Sequence, residues 1–392
     1  WLCSRECFLS EVSVRDKCFI NSIRCDRMMP SLLIRSLNNR GGVLASYWSQ
    51  DEVLGLADYA GQPAFLFQHL ASAMHPCSPE GAPIASSPGG SKWPVAIFSH
   101  GLAGNVDMYT QALQCLSAKG YIVVALEHED GSGSFATRAG TGEVIRYKRP
   151  DDTPYSQHKV TTFRKPFLEQ RVKEITGLWA KNIGVNAAED QSTLPPQPFS
   201  TSPAGPEEVL SRFGDPGRVT LIGHSFGAAT MALVSQHLAE AESETSAIAS
   251  GESSSKAPML PECVVLWDPW AFSLEESVLS AGICCPAGVL SVLSEGWLTH
   301  NELPQIKALL KGRGSRKSGA GGGVASYYLP GTSHQSFSDP AVCFPSFLAE
   351  QVGMKGRGEV PANTHRALAR TAHIAIETAR EIGGNSTGEE RF

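Results

Sequence analysis

The stretch Leu221-Ile-Gly-His-Ser-Phe-Gly-Ala-Ala-Thr230 limits what this chain can fold into more than any other. It sets a serine between two glycines, after an apolar run and before small residues. Either the serine is a nucleophile on a sharp bend, or the glycines simply make a turn. Gly223-His-Ser-Phe-Gly227 fits the pattern G-x-S-x-G, which is informative only between a strand and a helix. Residues 218–222 read as that strand and residues 226–238 as that helix. In such a turn the serine backbone is strained and its hydroxyl stands above the sheet. Side chains at 223 and 227 would collide, so glycine occupies both. The helix that starts there offers N–H groups to a developing anion. Ala228, Ala229 and Thr230 are small enough for close packing on the sheet.

The surrounding pattern supplies a fold. Residues 95–98 are a short apolar run, followed by the loop Ser99-His-Gly-Leu-Ala-Gly104. Met108, Ala112, Cys115 and Leu116 then fall at helical spacing, with Gly120 as a C-cap. Residues 121–126 are uniformly apolar, a second buried strand. Strand, helix and strand in that order imply an α/β fold, a mostly parallel central sheet with helices on both faces. Further strands are expected at 263–267, 289–293 and 325–329. Leu168, Val172, Ile175 and Trp179 mark one face of a helix within 167–183, and a last helix lies near 368–379. One domain over 46–382 is expected, with a poorly defined segment 1–45, a tail 383–392 and mobile inserts near 187–216, 240–257 and 311–323.

A serine hydroxyl needs a base, and the partners of such a turn follow it in the order acid, then histidine. Asp268 ends the strand 263–267, and His334 lies in a loop after the last strand. Both fall at the C-terminal sheet edge, where open α/β sheets gather their reactive groups. Alone, an Asp after a strand is usually a turn residue or a cap, and a loop His is usually just solvated. The ordered conjunction of Ser225, Asp268 and His334 carries the weight. His237 and His300 lie in or near helices, Glu275 and Glu276 lie past the strand edge, and Asp339 shares the loop of His334. Two backbone donors are needed for an oxyanion. Phe226 N–H, directly after the serine, is one; Leu102 N–H in the loop 99–104 is the second candidate. That loop also reads as a plain turn.

Composition removes other classes. With 42% hydrophobic and 18% charged residues, 392 residues suit a globular chain with a sizeable core. A net charge of −6 without a basic stripe argues against a nucleic-acid partner. No GxGxxG or Walker pattern is present, which argues against a phosphate cradle. His128-Glu-Asp130 lacks a second cluster and reads as a strand-end loop; no metal and no cofactor is expected. The four early cysteines match no zinc spacing, and the pair Cys284-Cys285 reads as buried or free thiols.

Five segments in order, FSHGLAGN, YIVVALEHEDGS, GHSFGAAT, LWDPWAF and GTSHQSFSD, resemble the platelet-activating factor acetylhydrolases of the plasma and intracellular type II kind, over roughly residues 50–380. That resemblance implies an α/β-hydrolase fold without a metal, hydrolysing the sn-2 acetyl, or a short or oxidised acyl, of glycerophospholipids. It implies Ser225 as nucleophile, Asp268 as acid, His334 as base, and Leu102 and Phe226 as oxyanion donors. A phospholipid substrate follows, as does peripheral contact with lipid surfaces: a helix near residues 63–74 meets lipid in the family, which here offers Phe65, Leu66, Phe67 and Leu70. A core-packed helix is an equal reading of that segment. Pro269, Ala228 and the inserts depart from the family pattern and bear on acyl preference. The alternatives are an esterase of the same fold on small soluble esters or polyesters, and a non-catalytic lipid-binding protein.

Overall fold

The computed structural model describes residues 33–34, 49–71, 91–138, 141–150, 156–182, 206–248, 260–285, 288–311 and 323–385. In chain order its principal elements are β1 (Leu33–Ile34), α1 (Gln50–Ala60), β2 (Trp93–Ser99), α2 (Thr110–Ser117), β3 (Ile122–Leu126), β4 (Phe135–Thr137), β5 (Val144–Arg146), α3 (Gln157–Asn182), α4 (Pro206–Phe213), β6 (Gly214–His224), α5 (Phe226–Ile248), β7 (Cys263–Trp267), β8 (Gly288–Ser294), α6 (Leu303–Lys311), β9 (Gly323–Leu329) and α7 (Pro361–Asn385). The apolar runs pair into a seven-stranded sheet of order β1-β3-β2-β6-β7-β8-β9, parallel throughout. β4 and β5 form a separate antiparallel hairpin.

Side-chain alternation along each strand explains why the runs are apolar without a break. Val95 and Ile97 of β2 join Phe226, Met231, Ile175 and Trp179 in one core cluster. Ala96 and Phe98 point the other way, into a cluster with Val53, Leu113, Leu116 and Leu368. Both faces of the sheet are thus covered by helices, and a strand with two covered faces needs no polar side. The chain leaves β2 for β3 on one side and then crosses to β6 on the other. That reversal opens a crevice at the C-terminal ends of β2 and β6, where open α/β sheets take their ligands.

Several boundaries move. On α3, Leu168, Ile175 and Trp179 are buried and Val172 is partly so, but the helix starts at Gln157 and runs through Pro166. An interior proline removes a donor and crowds the preceding turn, which is why the sequence argues for a start after it. Here tertiary contacts hold the early turns: Val160 is buried and Thr161 Oγ1 donates to Phe272 O at 3.1 Å. Within the expected loop 187–216, α4 forms because Val209 and Leu210 find the core, and β6 begins at Gly214; residues 187–205 lie outside the described residues. α5 continues past Leu238 to Ile248, and 249–257 lie outside, as do 312–322 of the third insert. Of the N-terminal segment, β1 adds an edge strand, Leu33 opposite Val123. The rest of 1–45 lies outside the described residues, with its cysteines. α1 was not anticipated. Its signal was present: Ser49 and Glu52 make a reciprocal capping box, and Gly61 ends the helix at φ 62°.

The segment expected to meet lipid is corrected in part. It forms a 3-10 turn, Ala64–Leu66, and a helical turn, Gln68–Ala71. Phe67 and Leu70 are buried, Phe67 with its ring 5.8 Å from that of Phe344. Residues three apart share a face in such tight turns, so these two enter the core together and cannot touch a lipid surface. Phe65 is 68% exposed and Leu66 45%. Among the described residues no helix is long and apolar enough to cross a membrane.

Candidate active site

The bend after β6 is sterically determined. A Cβ on Gly223 would lie 2.3 Å from Gly227 O, and one on Gly227 would lie 2.0 Å from Ser99 O. The glycines therefore let strand, helix and the neighbouring loop approach to backbone contact. Ser225 between them has φ 55°. Its N–H donates to Trp267 O at 2.8 Å, and its carbonyl accepts from Trp270 N–H at 3.1 Å. Among the described residues only Ala103, Ser225 and Asp268 are non-glycines at positive φ, at 55°, 55° and 43°. Each such residue costs on the order of 1–3 kcal/mol and persists only where its surroundings over-determine it. All three lie around one crevice, at the ends of β2, β6 and β7.

The structure brings Ser225, Asp268 and His334 together. His334 Nε2 lies 3.0 Å from Ser225 Oγ, and His334 Nδ1 lies 3.0 Å from Asp268 Oδ2. A buried carboxylate accepts only, so Nδ1 carries the proton and Nε2 is free to accept from the serine. Asp268 is fully buried and is held by Ser294, whose N–H donates to Oδ1 and whose hydroxyl donates to Oδ2, both at 2.6 Å. The imidazole is sandwiched. Trp297 stacks on one side at 4.1 Å and 14°, and His224 lies on the other at 4.6 Å. His224 Nδ1 is 2.8 Å from the Tyr109 hydroxyl, which accepts Gly101 N–H at 3.0 Å. The Tyr109 hydroxyl thus ties the His224 ring to the loop at Gly101. Burial first, then the neighbouring His334, hold the His224 pKa well below its ordinary value, so this ring stays neutral beside that of His334.

Leu102 lies in the loop at the end of β2, and Phe226 is the first residue of α5. Gly101 N–H is tied to Tyr109, Ala103 N–H donates to Ser132 O at 2.7 Å, and Gly104 N–H donates to Gly101 O at 3.1 Å. The loop is thus anchored on both sides of Leu102 and is more than a plain turn.

The rivals have other partners. Asp339 accepts Gln111 N–H at 3.2 Å and lies 3.6 Å from His365 Nδ1. Glu275 pairs with Lys165 at the surface. His128, expected in a strand-end loop, is fully buried between Ser99 Oγ at 2.8 Å and Glu174 Oε2 at 2.5 Å. His224, Asp268 and His334 present ligand atoms within 4.8 Å of one another. Both nitrogens of His334, Oδ2 of Asp268 and Nδ1 of His224 are already engaged in the hydrogen bonds above, so that donor set fits the proton relay.

Reasoning on the sequence missed Ser294, Trp297, His224, Tyr109 and Glu302 as parts of this region. Only His224 had a signal, as the residue before the serine. Glu302 is buried and accepts Phe272 N–H at 2.9 Å, next to Trp270. Burial drives its carboxyl up to about 7, against the pull of the Phe272 N–H and the Trp270 side chain. Its folded pKa lies above the unfolded value of about 4.3. Its contribution to stability is therefore fully present below about pH 4 and is lost as pH rises through 7. Glu302→Gln is expected to match the wild type near pH 4 and to exceed it at pH 8 by on the order of 3–4 kcal/mol. Thermal melts of both proteins across that range check it; parallel pH profiles would refute it.

A sequence profile of the family described as "Platelet-activating factor acetylhydrolase, isoform II" matches residues 44–377. The chain is 25% identical over 276 residues to the platelet-activating factor acetylhydrolase of Cavia porcellus, covering 68% of this chain and 53% of that protein. It is 24% identical over 295 residues to that of Bos taurus, covering 73% of this chain and 57% of that protein. The chain spans little more than half the length of these relatives. Among solved structures, a ferulic acid esterase from Streptomyces cinnamoneus superposes with a TM-score of 0.50 at 16% identity, covering 87% of this chain and 78% of that one. At that identity the likeness speaks for the fold.

Proposed function

Because the chain belongs to the platelet-activating factor acetylhydrolase isoform II family, we propose that it is a serine esterase that removes the sn-2 acetyl, or a short or oxidised acyl, from glycerophospholipids. The observation that supports this reading is the pair of 3.0 Å contacts joining Ser225 Oγ to His334 and His334 to Asp268. In this reading His334 Nε2 takes the hydroxyl proton as Ser225 Oγ attacks the ester carbonyl. Phe226 and Leu102 N–H groups receive the oxyanion, and Asp268 holds the imidazole in the tautomer that can accept. Collapse breaks the ester bond, and the proton on Nε2 goes to the departing lysophospholipid oxygen. A water then gives its proton to Nε2 and attacks the acyl-enzyme, releasing the short carboxylic acid and the free serine.

Phe65 and Leu66 are the side chains left to touch a lipid surface once Phe67 and Leu70 are assigned to the core. One experiment tests both points. Rates are measured on sn-2 acetyl and sn-2 long-chain phosphatidylcholines and on acetyl esters lacking the head group, as monomers and in vesicles. Preference for the acetyl phospholipid supports the reading, and equal rates with and without the head group point to a hydrolase of small soluble esters. Phe65→Ser with Leu66→Ser is expected to slow the vesicle reaction and spare the monomeric one. An unchanged vesicle rate removes the lipid contact.

A further inference from the structure

α3 buries a cation at its centre. Arg171 is fully buried, and its side chain reaches three separate segments near the crevice. Nε donates to Asp130 Oδ2 at 2.9 Å, and Nη2 donates to Ser132 Oγ at 2.6 Å. Nη1 donates to His100 O at 2.7 Å. The guanidinium carbon also lies 4.7 Å from the centre of the Phe226 ring. His100 is two residues before Leu102. Ser132 O accepts the N–H of Ala103, one residue after it. A single guanidinium thus grips the Leu102 loop on both sides and rests against the residue that carries the other donor.

We propose that Arg171 is the positioning residue of the oxyanion hole, fixing the Leu102 loop against Phe226 so that both N–H groups aim at one point. This rests on the reading of Leu102 and Phe226 as oxyanion donors. The loop needs such a brace. Ala103 is held at φ 55°, and a strained residue relaxes unless its neighbours over-determine it. Preorganised donors act only if they do not have to move during the reaction. Arginine suits the position because its planar fork carries five N–H donors in fixed directions; a lysine ammonium cannot serve the same set of acceptors. The charge is balanced in place. Burial alone would raise the Asp130 carboxyl, but Arg171, His128 and the Ser132 hydrogen bonds outweigh it and hold it down at about 2. Asp130 therefore stays ionised against the guanidinium. The rest of the network serves the same loop: His128 bonds the Ser99 hydroxyl, and Glu127 Oε2 accepts Val106 N–H at 3.1 Å. His100 Nε2 lies 3.1 Å from Glu127 Oε1, out of line for a hydrogen bond.

The test uses Arg171→Lys, which keeps the charge beside Asp130 and loses the fork, and Ser132→Ala, which removes one grip and keeps the backbone carbonyl that accepts from Ala103. Each is assayed on a short-chain ester, and each is inhibited with a trifluoromethyl ketone that forms a tetrahedral adduct on Ser225. Loss of one oxyanion donor slows such reactions by about 10²–10³, and misalignment of one is expected to cost about 10–10² in kcat with KM within about twofold. The inhibition constant should rise by the same factor as kcat/KM falls, since the adduct uses the same hole. A merely structural role would lower the melting temperature without that matched loss. The proposal is overturned if the folded variants keep wild-type kcat, or lose rate without losing affinity for the adduct-forming inhibitor. If Arg171→Lys does not fold, Ser132→Ala decides alone by the same criteria. Ser225→Ala run alongside separates the two ideas: its inactivity with normal rates at 171 and 132 sinks only the positioning role, whereas its activity sinks the mechanism itself.

Discussion

Ser225→Ala is expected to lower kcat on a short-chain ester by on the order of 10⁶, the scale seen when a triad nucleophile is removed, with the fold intact. The fold should survive because Ser225 makes its packing contacts through the backbone: its N–H bonds Trp267 O, and its carbonyl accepts from Trp270. Alanine meets the same strain at φ 55° as serine does. What is lost is the hydroxyl 3.0 Å from His334 Nε2. Three readouts check it: steady-state rate, covalent labelling by a fluorophosphonate, and the urea midpoint. Turnover or labelling near the wild-type level in the alanine variant would remove Ser225 from the mechanism, and with it the whole reading of the crevice. Absence of labelling in the wild-type protein would favour the non-catalytic lipid binder.

Asp268→Asn is expected to cost about 10⁴ in kcat, the effect of presenting a triad histidine with the wrong tautomer. The geometry says why the amide cannot flip to avoid it. Ser294 N–H points at Oδ1 from 2.6 Å and can only donate, so the asparagine oxygen must take that position. Its NH₂ then occupies the place of Oδ2, 3.0 Å from His334 Nδ1. An NH₂ there donates to Nδ1 and drives the ring proton to Nε2, which can no longer accept from Ser225. The Ser294 hydroxyl can rotate to accommodate the change; the backbone N–H cannot. The near-isosteric swap should leave KM and the melting temperature close to wild type. A variant with wild-type kcat would mean that Asp268 does not set the tautomer. In that case the neighbouring histidine, His224, would have to be reconsidered as part of the relay.

Much of the framework was legible because its signals are local. The strand runs 121–126 and 263–267 are apolar on both faces because both faces are covered. G-x-S-x-G announces a strand-to-helix bend whose glycines are forced by contacts of 2.0–2.3 Å to backbone. The order serine, acid, histidine follows the strands in chain order, so each candidate could be placed at its sheet edge. The errors were of the opposite kind. α4 and the first turns of α3 form on side-chain burial and long-range bonds that no local window contains. Phe67 and Leu70 looked like lipid anchors beside Phe65 and Leu66, but a tight turn separates the two pairs.

By itself, then, the chain's amino-acid order determined the parallel sheet, the bend at Ser225 and the identities of Asp268 and His334 as its candidates. These follow from period-two burial, from glycine sterics and from what residue types can do with a proton. Tertiary structure alone decided what surrounds them: Ser294 beneath the acid, Trp297 and His224 on either face of the imidazole, and Arg171 under the Leu102 loop. Those residues sit on different elements from the groups they contact, and apart from His224, which precedes the serine, nothing in their own neighbourhoods along the chain marks them. Their significance comes from convergence at the point where β2 and β6 part, and convergence is a property of the packed sheet, set by the crossing of the chain from β3 to β6.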